Sequence, residues 1–226
     1  DFFSGSATTA EAVMRNNIGG NHNRFILIQL PELIDSTKKA TSENSKKVVL
    51  NAISVLDELK KPHYITELAK ERIRRAGKKI KEESPLTTQD LDTGFRVLKL
   101  DSTNMQDIYY SPKDISQADL FSQVDNVKPD RTGEDLLFQV MLELGATLDS
   151  EIETTTVAGK TIYNVAEGYL VACFDPDVTD EVVKAIAQMQ PAYAVLRDTS
   201  MKDDSTATNF EQIFKTYSPD TVTRIL

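Results

Sequence analysis

The chain contains no tryptophan, only one cysteine and no excess of positive charge. A single cysteine excludes a disulfide framework, which predicts an intracellular, cytoplasmic protein. Cys173 lies in the apolar run YLVACF, where we expect a buried structural thiol. The formal net charge of −9 argues against sequence-independent coating of nucleic acid, because such binding needs many Lys and Arg side chains at phosphates. Any contact with DNA is therefore expected to be local.

Histidine and long apolar runs are also scarce. His22 and His63 are the only histidines, and both stand in polar stretches without partners at ligand spacing. This pattern predicts no metal site. Apolar runs stay well short of the roughly 18 residues needed to cross a membrane, so we expect no membrane partner.

The first half of the chain is predicted to be α/β. The loop DFFSGSATT opens a helical pattern, TTAEAVMRNN. RFILIQL follows as an apolar run of the length of a strand buried on both faces. Together these segments make most of a βαβ unit. The polar stretch from Asp35 to Lys47 is predicted to be a surface connection.

Two helical patterns and a short apolar run complete this half. VVLNAISVLDELKK is stopped by Pro62, and FRVLKL is predicted to be a further strand. In YITELAKERIRRAGKKI the apolar residues fall on one stripe. The stripe consists of Ile65, Leu68, Ala69, Ile73, Ala76 and Ile80.

The second half of the sequence is predicted to form a separate α/β layer of strands and helices. Thr132 and Asp135 form the pattern of a capping box for a helix that Gly145 ends. EIETTTV, KTIYNV and YLVACF are predicted to be antiparallel strands joined by AG and EG turns. A helix from Thr179 to Gln190, the strand AYAVLR, a helix at NFEQIFKTY and the strand TVTRIL follow. We place domain boundaries at 1–104, 105–131 and 132–226, the middle segment being a connection.

The opening loop has the chemistry of a ligand-binding turn. Ser4, Gly5, Ser6 and Ala7 are small enough for a ligand to approach the backbone, and the helix beginning near Thr8 directs N–H groups at a carboxylate or phosphate. No Lys-Ser or Lys-Thr pair follows, so the loop is not a phosphate-binding P-loop. One glycine instead of three also disfavours a dinucleotide.

This loop closely resembles the S-adenosylmethionine loop of amino-directed DNA methyltransferases. The match runs from Asp1 to Thr9 with one departure, Ala7 where that family usually has glycine. An alanine at this position costs nothing if the residue is already helical, but it would be strained at positive φ. FILIQLPE, ITELAKERIRRAGKKI, DTGFRVLKLDSTN and the stretch from YAVLRDTS to SPDTV extend the resemblance. These stretches are similar to the modification subunit of Type III restriction-modification systems, an adenine-N6 DNA methyltransferase.

The resemblance implies a fold and a set of cofactor contacts. The fold would be part of a Rossmann-like methyltransferase sheet followed by a smaller mixed α/β domain. The implied S-adenosylmethionine site comprises Asp1, Phe2, Phe3, Ser4, Gly5, Ser6, Thr8, Thr9 and Glu32. The backbone at Phe3, Ser4 and Gly5 would line the methionine part, and Thr8 and Thr9 would lie near its carboxylate. Glu32 would accept hydrogen bonds from the ribose hydroxyls; without the resemblance, a solvated carboxylate is equally acceptable.

The resemblance also bears on catalysis. In that family the catalytic Asp-Pro-Pro-Tyr stretch and the target-recognition domain precede the loop. We therefore expect no catalytic residue here, and no methylation by this chain alone. The nearest match, Asp175-Pro176-Asp177-Val178, lacks the second proline and the aromatic, and is predicted to be a strand-to-helix turn. The parent chemistry is direct methyl transfer to adenine, which relies on positioning and needs no metal.

The basic helix and the family resemblance both suggest partners. KERIRRAGKKIK concentrates basic residues on one helix, with Arg72, Arg74, Arg75, Lys78 and Lys79 as candidate contacts to double-stranded DNA. A solvated face paired with acidic groups is the alternative. The family resemblance implies a homodimer that recruits a helicase-nuclease subunit. The segment 132–226, which has no concentration of reactive groups, is therefore expected to be an assembly domain, in dimer formation or subunit docking. Two functions thus remain open for the chain, a cofactor-binding half of a methyltransferase or a non-catalytic module for dimerisation or subunit docking.

Overall fold

The computed structural model of the protein describes residues 1–35, 42–106, 126–201 and 204–226. Within those ranges the fold is mixed α/β. The helices are α1 Thr8–Asn17, α2 Glu43–Glu58, α3 Ile65–Glu83, α4 Gly133–Leu144, α5 Asp180–Gln188 and α6 Asp204–Tyr217. The strands are β1 Ile152–Val157, β2 Lys160–Val165, β3 Leu170–Cys173, β4 Tyr193–Leu196 and β5 Val222–Ile225. The chain divides into two compact units, 1–97 and 98–226.

Helices α1 and α3 form the core of the first unit. The predicted apolar stripe of α3 is confirmed for Ala69, Ile73, Ala76 and Ile80, which are buried. Its first two residues, Ile65 and Leu68, are only half-buried. The buried residues of the stripe pack with residues of α1, among them Met14, in one apolar cluster. Burial of this stripe holds the two helices together, because the opposite face of α3 is charged.

The prediction that RFILIQL is a strand buried on both faces is wrong. This segment is extended, but within the described ranges it makes only one isolated bridge, a parallel one between Phe2 and Ile28. Its side chains alternate, with Phe25 and Leu27 packed against the α1–α3 cluster while Ile26 is 77% exposed. The apolar run therefore covers one helical layer, and its second face carries no covering layer in the described part of the chain.

Other boundaries in the first unit differ from the sequence-based expectations. FRVLKL forms no strand, and its Leu100 is fully exposed. Helix α2 begins at Glu43, inside the stretch predicted to be a connection, because the Ser42 side chain accepts from the N–H of Ser45 and caps it. Residues 36–41 of that stretch, and 107–125 of the connection predicted over 105–131, lie outside the described residues.

The second unit contains a five-stranded sheet in the order β1-β2-β3-β4-β5. The predicted antiparallel arrangement of the first three strands is confirmed, and β4 and β5 continue the sheet in parallel with β3. Side chains of β3 and β4 alternate between two apolar clusters. One cluster joins the sheet to α4, and the other joins it to α5 and α6. The central strand β3 is consequently buried throughout.

Local sequence signals define α4. The predicted capping box is confirmed, since the Thr132 side chain accepts from the Asp135 N–H and Asp135 accepts from the Thr132 N–H at 2.8 Å. The Thr132 N–H and, to a lesser extent, the Thr132 hydroxyl donate to the Asp135 carboxylate and lower the pKa of that carboxyl. Gly145 ends the helix at φ 79°, as predicted.

Cys173 and the turn that follows β3 lie as the sequence predicts. Cys173 is fully buried, and burial raises the pKa of its thiol, so it is an inert core residue. Asp175 to Val178 form the turn between β3 and α5, as predicted. The Asp175 carboxylate accepts from the Thr161 N–H at 2.5 Å, and the Val178 N–H donates to the Ser200 carbonyl.

Candidate functional site

The opening loop lies beside the extended segment 24–30 and runs parallel to it. The Ile28 N–H donates to the Asp1 carbonyl at 3.0 Å, and the Phe3 N–H donates to the Ile28 carbonyl at 2.9 Å. Helix α1 connects the two segments. Because both segments run in the same direction, the residues that follow them emerge at the same edge. The turn Ser4–Ala7 and Glu32 are the residues that follow.

Helix α1 begins at this edge without a side-chain cap. Its N-cap residue is Ala7, which has no oxygen to offer to the first N–H groups. The first turn of a helix has N–H groups without intrahelical acceptors and carries a partial positive charge. An anionic group placed next to the N-terminal end of α1, in front of Thr8, would be stabilised by these N–H groups.

Several polar groups of the loop already have partners within the protein. The Phe3 and Ser4 N–H groups both donate to the Ile28 carbonyl, and the Gly5 N–H donates to the Gln29 side chain at 2.8 Å. The predicted contact of these three residues with a ligand therefore depends on their carbonyls and Cα atoms. Phe2 and Phe3, whose rings are largely exposed, leave the apolar side of the loop accessible.

Thr9 and Asp1 contact each other across the start of α1. The Thr9 hydroxyl donates to the Asp1 carboxylate at 2.6 Å. A negative charge here is favourable, because it lies near the positive end of the helix. The Asp1 carboxylate thus already lies at this end of the helix, where Thr8 is exposed.

Glu32 is exposed, and its backbone is fixed. Its carbonyl accepts from the Ile65 N–H at 3.0 Å, which ties the segment to the start of α3. Among the described residues no hydrogen bond or ion pair of its carboxylate is observed. A carboxylate of this kind, at the end of the second parallel segment, can accept two hydrogen bonds from a diol.

Ala7 has the left-handed conformation that favours glycine, with φ 62° and ψ 40°. It is also 1% exposed. We expect Ala7→Gly to change the free energy of unfolding by less than about 1 kcal/mol, because relief of about 1–2 kcal/mol of strain offsets one lost methyl and greater freedom when unfolded.

The matched control is Ala10→Gly, at another fully buried alanine of the same helix. Its backbone is helical, so the change relieves no strain, and we expect a loss of about 2 kcal/mol. Urea denaturation followed by circular dichroism measures both variants. Equal losses of unfolding free energy in Ala7→Gly and Ala10→Gly would show that the backbone at Ala7 is unstrained.

The basic residues of α3 form ion pairs with acidic residues. Arg72 donates to the Ser6 hydroxyl of the loop at 3.0 Å and lies 3.5 Å from Glu11, so it links α3 to the candidate site. The other four candidate DNA contacts pair within the helix. The pairs are Arg74–Glu71 at 3.9 Å, Arg75–Glu71 at 2.7 Å, Lys78–Glu82 at 3.8 Å and Lys79–Glu83 at 3.6 Å. This pairing is the arrangement expected of a solvated face, and DNA binding there stays a prediction.

His63 has partners that sequence reasoning missed. Its Nδ1 lies 2.9 Å from an Asp35 carboxylate oxygen, and its Nε2 lies 2.7 Å from one of Asp57. Hydrogen bonds to Asp35 and then Asp57 raise the pKa of the imidazole. The one signal in the sequence that could have indicated this contact was the short separation of six residues between Asp57, near the end of α2, and His63.

No helix in the described ranges is long and apolar enough to cross a membrane. Groups of three or more His, Cys, Asp or Glu side chains placed so that they could hold one metal ion are likewise absent from those ranges. No protein-family model matches the chain, and no curated protein matches it.

Proposed function

We propose that this chain contributes the S-adenosylmethionine-binding part of a DNA adenine-N6 methyltransferase of the Type III modification class. The observation that carries the proposal is the parallel pairing of Asp1–Phe3 with 26–28. The turn Ser4–Ala7 and Glu32 follow these two segments in the chain, so we infer that both lie at one edge. Ligands of Rossmann-like sheets bind at this kind of edge, beyond the carboxyl ends of parallel strands. We therefore interpret the first unit as part of such a sheet.

The groups at this edge suit the parts of the cofactor. The uncapped start of α1 offers N–H groups to the methionine carboxylate, and Glu32 offers acceptors to the ribose hydroxyls. The exposed Phe2 and Phe3 rings supply apolar surface beside the small residues of the turn. When bound, S-adenosylmethionine supplies an activated methyl group. The residues of this chain would bind and orient it, and the base-binding residues would come from elsewhere in the methyltransferase.

The proposed partners follow from the same assignment. Double-stranded DNA would be bound by the full methyltransferase, with the exposed side of α3 as its contact on this chain. The second unit would serve assembly, as a homodimer or as a docking site for a helicase-nuclease subunit. The edge strand β5 favours this role, since Val222 and Ile225 are half-exposed and β5 pairs on one side only among the described strands.

Calorimetric titration of the chain with S-adenosylmethionine tests the proposal. We expect saturable binding that Glu32→Ala weakens by about 10-fold or more, because hydrogen bonds to a charged group contribute about 1.5–3 kcal/mol. Glu58→Ala is the matched control, since Glu58 is also an exposed carboxylate, at the end of α2. Equal affinities of the two variants would refute the role of Glu32, and no binding by the folded chain would refute the proposal.

A further inference from the structure

His63 joins two parts of the first unit through its side chain. Asp35, on one side of the ring, lies three residues after Glu32. Asp57, on the other side, lies near the end of α2. The ring is therefore a bridge between the segment that carries Glu32 and the α2 helix.

The backbone beside this bridge holds the Glu32 segment as well. The Ile65 N–H donates to the Glu32 carbonyl at 3.0 Å, and the Ile34 N–H donates to the His63 carbonyl at 2.8 Å. Leu33 and Tyr64 form an antiparallel bridge between them. Residues 32–35 are thus attached to 63–65 by a short strip of hydrogen bonds, and the His63 side chain closes one end of it.

Only the protonated ring can donate to both carboxylates. A neutral imidazole carries one N–H and one lone pair, so one of its two nitrogens would face a carboxylate without a proton between them. Among the described residues, the charged groups in contact with the ring are Asp35 from the Glu32 segment and Asp57 from α2. Helix α3 begins two residues after His63, with the uncharged Ile65.

We propose that His63 is a positioning residue for Glu32, and that ligand affinity at Glu32 falls when the imidazolium loses its proton. The inference rests on the proposed function, because it takes Glu32 as the ribose-binding residue. Deprotonation removes one of the two carboxylate contacts and loosens residues 32–35. The apparent affinity then falls in proportion to the fraction of molecules in which Glu32 keeps its place.

The direction of the pH dependence follows from the environment of the ring. The two carboxylates raise the pKa of His63 above its usual value of about 6.5. The bridge is therefore fully formed below about pH 6.5 and is lost as the pH rises through the raised pKa. The free energy of unfolding of the chain also falls as the pH rises through this range.

Titration with S-adenosylhomocysteine between about pH 6 and pH 9 tests the inference. We expect wild-type affinity to fall at least about threefold across this range, and His63→Gln to have a flatter profile, since glutamine does not titrate. His22→Gln replaces the other histidine, which is exposed, and should keep the wild-type profile. The ratio of wild-type to variant affinity at each pH removes any titration of the ligand itself.

A second measurement separates the inference from the proposed function. Hydrogen exchange of the Ile34 and Ile65 amides, expressed as protection factors, follows the strip without a ligand. We expect protection to fall with rising pH in the wild type and not in His63→Gln. Binding that is independent of pH in the wild type overturns the inference. Absence of binding at every pH overturns the proposed function, and the protection factors then decide whether His63 fixes the segment.

Discussion

Leu137→Ala is expected to lower the free energy of unfolding by about 3 kcal/mol, one of the two largest effects anticipated for a single substitution in this chain. Leu137 is 0% exposed in α4 and belongs to the cluster that includes Val165 and Leu170 of the sheet. Truncation removes three carbon atoms from a packed interior and leaves a cavity beneath the helix. Chemical denaturation followed by circular dichroism gives the difference directly.

The same substitution at Leu142 is the control. Leu142 lies in the same helix but is 63% exposed, so Leu142→Ala should cost less than about 1 kcal/mol. A larger loss at Leu142 than at Leu137 would mean that α4 packs on the sheet through its other face.

Ile80→Ala is expected to cost a similar amount, about 3 kcal/mol, in the first unit. Ile80 is 0% exposed and packs with Ile73 of α3 and Met14 of α1. Its loss would loosen the contact between α3 and the helix that begins at the candidate site. We therefore expect weaker ligand binding as well as a lower midpoint of denaturation.

Ile26→Ala is the matched substitution in the same unit. Because the Ile26 side chain is mostly in water, we expect a change of less than about 1 kcal/mol. The continuous apolar run at Ile26 predicts burial on both faces and hence a large loss. The experiment decides between the sequence-based expectation and the exposed position seen in the structure.

Elements with local signals could be predicted from the sequence. The capping box at Thr132 and the glycine at 145 give the limits of α4, because both act on neighbouring backbone groups. The apolar stripe of α3 depends on one helix alone, and its helical period can be read directly from the sequence. The turns at Ala158-Gly159 and Glu167-Gly168 similarly give the antiparallel pairing of β1, β2 and β3.

Features that depend on distant residues could not be predicted in the same way. An apolar run such as RFILIQL shows that a strand could be covered on both faces, but not whether a layer covers the second face. Asp35 lies 28 residues from His63, and their contact depends on how α2 returns the chain to the Glu32 segment. The candidate site was predicted through the loop and Glu32, whereas the bridge that supports Glu32 was not.

The exposed apolar side of the segment around Ile26 is expected to promote association between molecules of the purified protein. Ile26, Ile28 and Leu30 place apolar side chains in water at two-residue spacing, beside the equally exposed Phe2. An extended segment of this kind is a template for pairing between molecules. The net charge of −9 at neutral pH opposes such pairing through mutual repulsion. Acidification towards the isoelectric point near 4.8 removes that repulsion, so precipitation of the purified chain should begin in mildly acidic buffers.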